Sequence, residues 1–291
     1  MAKMKQKRML AKFLGFLALL IIAAGVYHGY HIYRFMADIR QADPQEFEEE
    51  QVEPKETPAY HRTNILLLGI DARTPNERSR TDTIMLLSLD EATRDVSLLS
   101  IPRDSRVNIP GRGLDKINHA HAFGGVALTV ETVEAFLGVP VHYYARINFE
   151  GFAEIIDILG GVTIEVENIV AANTPELKAG KQRLNGEQAL AYVRNRSDSD
   201  IGRAKRQQKL IKTVAKESYQ LSTILKVPQL LENLGNNLRT NMPLTDMVKV
   251  ANLFISVDID AIAQGVIPLA CAKGTVNEYF QIGICIFNCL F

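Results

Sequence analysis

Residues 13–27 contain no charged side chain, and weaker apolar character continues through Tyr30, Ile32 and Tyr33. The stretch totals about 20 residues, enough to cross roughly 30 Å of hydrocarbon as a helix. Lys3, Lys5, Lys7, Arg8 and Lys12 precede it with no acid among them, whereas residues 38–56 carry eight acids against Arg40 and Lys55. That asymmetry keeps the N-terminus in the cytoplasm and sends the rest of the chain outside. The expected organisation is a cytoplasmic tail (1–12), a single-pass signal-anchor in the cell membrane (13–33), an acidic linker (34–62), an extracytoplasmic folded body (63–276) and an atypical apolar tail (277–291). Ala23-Ala24-Gly25 could serve as a small-residue cleavage site. The apolar run continues past it, however, and Tyr27, Tyr30 and Tyr33 suit an interfacial belt, which favours an uncleaved anchor.

The linker places Pro44, Pro54 and Pro58 among six glutamates and reads as a solvated stalk. Lys+Arg and Asp+Glu both total 33, leaving no global field to hold a polyanion and arguing against a nucleic-acid partner. Cys271, Cys285 and Cys289 all lie in the last 21 residues, so the body does not depend on disulfides.

The body opens at residues 64–69 with an unbroken apolar run of the kind found in a strand covered on both faces. Residues 83–89 and 96–101 follow, joined too closely for a crossover helix, and are expected to be antiparallel neighbours. Val126, Val130, Val133 and Leu137 recur at helical spacing up to Gly138. After an expected strand at 141–147, Phe149 to Leu159 mark a second amphipathic helix ended by Gly160-Gly161, and residues 162–166 alternate as a strand. Helices are expected to dominate 186–257, with a last strand near 265–269. Strands interleaved with helices predict an α/β body, a three-layer α/β/α sandwich with a mixed β-sheet, preceded by the single N-terminal transmembrane helix.

Five polar groups stand out: at element ends Gly69-Ile70-Asp71-Ala72-Arg73, Arg78-Ser79-Arg80-Thr81-Asp82-Thr83, Ser100-Ile101-Pro102-Arg103-Asp104 and Tyr192-Val193-Arg194-Asn195-Arg196 continuing to Asp198, Asp200, Arg203, Arg206, Gln207 and Gln208, and in a glycine-bearing loop Lys116-Ile117-Asn118-His119-Ala120. Arginine grips phosphate oxygens bidentately and keeps its charge, so converging arginines point to a phosphate-rich ligand. Residues 194–206 hold five cations against two acids. Asp71 and Asp82 offer the hard carboxylate oxygens that a phosphate-bridging Mg²⁺ takes. Together these groups form a phosphoryl-transfer constellation. Each also has an ordinary alternative. Arg203, Lys205, Arg206 and Lys209 could form one solvated helix face, Asp200 could cap a helix starting near Gly202, Asp198 could be an ordinary loop acid, and His119 and His121 read as polar loop residues. No GxxxxGK[ST], strand-to-helix GxGxxG or G-x-S-x-G motif is present.

The ordered motifs LLLGIDAR, RSRTDT, LSIPRD, KINHA and ALAYVRNR…DIGRAKRQQ resemble the LytR-CpsA-Psr family over about residues 63–214. The resemblance implies an α/β/α catalytic domain with a lipid tunnel. The implied enzyme is an Mg²⁺-assisted phosphotransferase that moves a glycopolymer, such as teichoic acid or capsule, from a polyprenyl-pyrophosphate-linked glycan to a peptidoglycan acceptor through a phosphodiester bond. By motif position it implies Asp71 and Asp82 as the metal and acid/base pair, with Arg80 beside them in catalysis. Arg103, Arg194, Arg196 and Arg203 are implied as a pyrophosphate clamp, which Arg80 joins, while Arg73, Lys116, Asp200 and Gln207 match further motif positions. Two features depart from the family pattern: a short loop between Arg196 and Asp200, and the apolar run 279–291, too short for a second span. A pyrophosphatase that uses water instead of a sugar hydroxyl, or a non-catalytic lipid-binding envelope regulator, would share much of this pattern. A cytoplasmic segment of 12 residues cannot form a DNA-binding domain, which removes direct transcriptional control.

Overall fold

The computed structural model describes residues 62–71, 79–218 and 237–268, with isolated helical positions at 27, 29, 30, 33, 34, 230 and 233. The expected membrane anchor (apart from those N-terminal positions), nearly all of the linker, Arg73 and the apolar tail lie outside the described residues. Among the described residues no helix is long and apolar enough to cross a membrane.

The centre is a six-stranded mixed sheet ordered β10-β3-β2-β1-β6-β9. Its strands are β1 (Arg62–Ile70), β2 (Thr81–Asp90), β3 (Val96–Ser100), β6 (Tyr143–Asn148), β9 (Leu238–Thr240) and β10 (Ala263–Val266). β1 pairs antiparallel with β2 and parallel with β6, while β3 pairs antiparallel with β2, as its short connection required, and parallel with β10. This arrangement gathers the C-terminal ends of β1, β3 and β6 and the N-terminal end of β2 at one end of the sheet.

Because strand side chains alternate in direction, β1 feeds two cores. Leu66 and Leu68 join Val126, Val130 and Val133 of α1 (His119–Leu137) on one face. On the other face Ile65 and Leu67 pack with Ile211 of α5 (Asp200–Ser218) and with Met247, Val250 and Leu253 of α6 (Leu244–Ser256). Helices therefore cover both faces of the mixed sheet, and its runs are apolar throughout because neither face meets water. A third core joins α2 (Phe149–Leu159), the hairpin of β7 (Val162–Val166) and β8 (Gly180–Leu184), and α4 (Gly186–Arg194), beyond the short α3 (Asn168–Ala172).

The glycine stops hold: Gly138 and Gly160 end α1 and α2 at φ 70 and 89. Several expectations are corrected. The KINHA segment is not a plain loop; Lys116 closes a hairpin of β4 (Arg106–Ile109) and β5 (Gly113–Lys116), and His119 begins α1. That hairpin was not legible because its strands are four residues each and only Val107 and Ile109 are buried hydrophobics. The strand expected at 141–147 is Tyr143–Asn148, and the last strand lies two residues before its expected start. The short β9 interrupts the expected helical stretch, because pairing with β6 supplies a partner that local sequence cannot announce.

Candidate active site

The functional side chains collect at the sheet end defined above. Asp71 directly follows β1, and its Oδ1 accepts from an Arg194 Nη at 3.0 Å. Arg194 is the last residue of α4, whose start is fixed by a capping box between Asn185 and Gln188. The Arg194 guanidinium also lies 4.3 Å from the ring centroid of Phe149, the first residue of α2, and this cation–π contact orients it.

Asp82, the second residue of β2, accepts from Arg103, which follows the end of β3. Arg103 Nε is 3.3 Å from Asp104 Oδ2, and Asp104 Oδ1 accepts from Lys116 Nζ at 2.6 Å. The result is an alternating row, Asp82–Arg103–Asp104–Lys116. Burial opposes the Arg103 charge, but hydrogen bonds and attraction from Asp82, then Asp104, raise its pKa above the ordinary value. Burial likewise works against ionised Asp104, and Lys116 with Arg103 overcomes it, holding that carboxyl below the usual range.

Arg203, on the first turn of α5, is only 5% exposed and forms an ion pair with Asp200, Nη to Oδ1 at 3.0 Å. Its pKa is pushed down, first by burial and then by repulsion from Arg103; Asp200 and Asp82 oppose the shift and Arg196 adds to it. These couplings bring Arg103, Arg196 and Arg203 into one electrostatic site with Asp82 and Asp200. Arg196 itself is exposed. Arg80 is also exposed, immediately before β2, and makes no hydrogen bond or ion pair with the described residues. Arg80, Arg103, Lys116, Arg194, Arg196 and Arg203 set against Asp71, Asp82, Asp104 and Asp200 leave two positive charges in excess, an arrangement suited to a multivalent anion.

The solvated-face reading of α5 fails for two residues. Arg206 is 4% exposed and bidentate to Asp198, at 2.8 and 2.9 Å, while also donating to the Asn195 carbonyl at 2.7 Å. Asp198 is therefore a structural partner rather than an ordinary loop acid. Lys205 remains exposed, and Lys209 pairs with Glu167 at 2.9 Å. The helix cap comes from Ser199, whose Oγ accepts from Gly202 N at 2.9 Å, so the capping role expected of Asp200 is corrected. Gln207 is half-buried and makes no hydrogen bond to the described residues, whereas Gln208 donates to Leu98 O, Ser100 Oγ and Gly265 O. His119 and His121 sit on α1 rather than in a loop, and His121 is 3% exposed. Asp104 and Phe149 went unnoticed as site residues. The first was named in its polar group without a role of its own, and the second read as part of an amphipathic helix.

Among the described residues no group of three or more His, Cys, Asp or Glu could hold a metal alone. Among the described residues Asp71 and Asp82 each commit one oxygen, Oδ1, to an arginine and leave Oδ2 without a partner. Two such oxygens fit Mg²⁺, which is ordinarily held by one or two carboxylates, waters and substrate phosphate oxygens.

Residues 26–284 match the LytR_cpsA_psr family. The chain belongs to that family. This LytR_cpsA_psr member is 36% identical over 264 residues to "Polyisoprenyl-teichoic acid--peptidoglycan teichoic acid transferase TagT" of Bacillus subtilis strain 168, covering 84% of this chain and 82% of the relative. A protein of Halalkalibacterium halodurans with the same description but the name TagU is 41% identical over 189 residues, covering 63% of this chain and 62% of its own length, so the match spans less than two thirds of that relative. Among solved structures, "TagT bound to LIIa-WTA" superposes with a TM-score of 0.65 at 32% identity, covering 81% of this chain and 93% of that one. TagT "with bound octaprenyl pyrophosphate lipid" gives 0.61 at 30% identity, with the same coverage of both chains.

Proposed function

We propose that this family member is a membrane-anchored, Mg²⁺-dependent phosphotransferase that moves a teichoic-acid-like glycopolymer from polyprenyl pyrophosphate to peptidoglycan. The observation that carries the reading is Arg203, a buried guanidinium kept in the repulsive field of Arg103 and Arg196. Asp82, Asp104 and Asp200 offset part of that repulsion, and a pyrophosphate supplies the remaining negative charge. The relatives' names and the lipid pyrophosphate bound by TagT support that ligand class.

In the reaction a muramic acid hydroxyl attacks the glycan-linked phosphorus. The bond from that phosphorus to the bridging oxygen breaks, polyprenyl monophosphate leaves, and a phosphodiester remains. Arg103, Arg196 and Arg203 hold the phosphoryl oxygens and neutralise charge as it moves to the leaving group. Arg194, braced on Phe149 and Asp71, extends the clamp to the end of β1. Asp82 receives the proton of the attacking hydroxyl, and its bond to Arg103 fixes its orientation. Asp71 and Asp82 would hold Mg²⁺, which when bound neutralises phosphoryl charge. The helical positions Tyr27, Tyr30 and Tyr33 are exposed and fit an aromatic belt at a membrane surface, with the body on the extracytoplasmic side.

The test is mass spectrometry of the full chain in detergent micelles with Mg²⁺, a synthetic polyprenyl-pyrophosphate glycan and peptidoglycan fragments. Glycan joined to the acceptor, lost in Asp82→Ala and Arg103→Ala at unchanged melting temperature, supports the reading. Release of polyprenyl phosphate with no joined product would reject transfer in favour of hydrolysis.

A further inference from the structure

The first register pair of β1 and β2 at the site end is Ile70 with Thr81, so Ser79 and Arg80 lie outside the sheet. A segment with no ladder bonds has no backbone reason to present an arginine in one place. The bond that ties it down comes from α1. His121 Nδ1 is 2.8 Å from the Ser79 carbonyl oxygen, and among the described residues this is the hydrogen bond that holds Ser79–Arg80 to the body. A carbonyl only accepts, so Nδ1 carries the proton and donates. The other ring nitrogen, Nε2, is buried and has no partner among the described residues, which matches an imidazole keeping its lone pair there.

The support beneath His121 is also built. Ile117 N donates to Ser105 O at 2.9 Å, and Asn118 N donates to Arg103 O at 3.2 Å, so the start of α1 is fixed to the segment carrying Arg103. Just beyond, Gly124 and Gly125 leave helical geometry, Gly125 at φ 63 and ψ −151, a region open essentially to glycine alone. The turn bearing His121 is thereby aimed independently of residues 126–137, which pack on the sheet.

We infer that His121 is a positioning residue: its Nδ1–H holds the Ser79 carbonyl and so fixes Arg80 relative to Arg103 at the pyrophosphate end of the site. The inference deepens the transferase reading and rests on it for the role of Arg80. Burial, with the nearby charge of Arg146, favours the neutral ring, and the Ser79 bond opposes that shift without reversing it. Asn118, within the KINHA motif, and His121, one residue beyond it, thus frame two arginine segments at once, which accounts for a buried histidine the transfer chemistry does not use.

The test compares His121→Leu, which removes the donor; His121→Asn, whose amide nitrogen stands near the Nδ1 position; and His121→Gln, whose amide reaches instead toward Nε2. Arg80→Ala and the double variant His121→Leu/Arg80→Ala complete the set. Transfer kinetics and calorimetric binding of geranylgeranyl pyrophosphate are measured on the full chain alongside melting temperature. The expected result is a loss of about 10- to 100-fold in kcat/KM for His121→Leu, substantial recovery in His121→Asn but not His121→Gln, and no further loss when His121→Leu is added to Arg80→Ala. Histidine ¹⁵N spectra of the wild type should give the Nδ1–H form. Additive losses, equal defects in the Asn and Gln variants, or the Nε2–H form would overturn the inference. If His121→Leu does not fold, the Asn and Gln comparison decides. If the wild type transfers nothing, the transferase reading fails by itself, and the same ordering in pyrophosphate binding still tests the tether.

Discussion

Asp198→Ala should destabilise the body by about 2–3 kcal/mol and disable the site without touching it directly. In the native chain Asp198 accepts two bonds from Arg206, whose guanidinium is 4% exposed, and Arg206 also ties down the Asn195 carbonyl. Removing one partner of a fully buried pair costs about 3–5 kcal/mol, because the remaining charge is stranded. The Asp198 side chain is 30% exposed, so water can reach Arg206 after truncation, and the lower figure follows. At about 2–4 °C per kcal/mol for a body of roughly 150–250 residues, the melting temperature should fall by about 4–12 °C. The loop held by Arg206 carries Arg196, so transfer should fall too, with KM for the lipid donor rising before kcat changes. The pair also predicts a pH dependence. The Arg206 hydrogen bond lowers the Asp198 pKa, so its stabilisation is complete above the unfolded carboxyl value of about 3.9 and disappears as pH falls through the lower folded value. Differential scanning fluorimetry of wild type and variant at neutral and acid pH checks both points. A shift below about 1 °C at pH 7, or a gap that widens on acidification, would refute the reasoning.

The exposed pair Asp71–Arg194 should behave oppositely: Arg194→Ala leaves melting within about 1 kcal/mol of wild type yet removes most transfer, and the reverse pattern would mark it as structural. Gln208→Leu removes the buried side-chain bonds to the Leu98 and Gly265 carbonyls and to Ser100 Oγ and should cost about 1–3 kcal/mol by urea denaturation, whereas Gln207→Ala should leave stability unchanged. Tyr143 is pushed up to about 12, by burial and then by donation to Asp246 Oδ2 at 2.7 Å. Its folded-state pKa is raised, so its contribution is present below about 10 and lost as pH rises from there to about 12. Tyr143→Phe should flatten that alkaline slope, and an unchanged slope would contradict the assignment.

Much of the site was legible because phosphate chemistry uses few residue types. Asp71 and Arg103 followed apolar runs, Asp82 preceded one and Arg194 stood in the fifth polar group, and the structure gathers these positions at one end of the mixed sheet. The supporting residues were not legible. Asp104 stood in the third polar group without a role, and only the hairpin that brings in Lys116 reveals its place in the row. His121 looked like a polar loop residue because its partner, the Ser79 carbonyl, is 42 positions away and belongs to the backbone.

By itself the sequence determined the types of the long apolar elements, β1, β2, β3, α1 and α2. Unbroken apolar runs demand burial on both faces, glycines stop two helices, and the order of five motifs identifies the family. Only the tertiary structure decided which of several identical cations does what. Arg203, Lys205 and Arg206 lie within four residues on α5, yet one sits buried beside Asp200 and Arg103, one faces water and one locks a loop. Gln207 and Gln208 divide in the same way. Each residue turns 100° around a helix, so a side chain's role depends on which face the sheet covers and which distant carboxylate or carbonyl meets it. Those partners come from β3, β10 and the Asp198 loop, and local sequence carries no record of their approach.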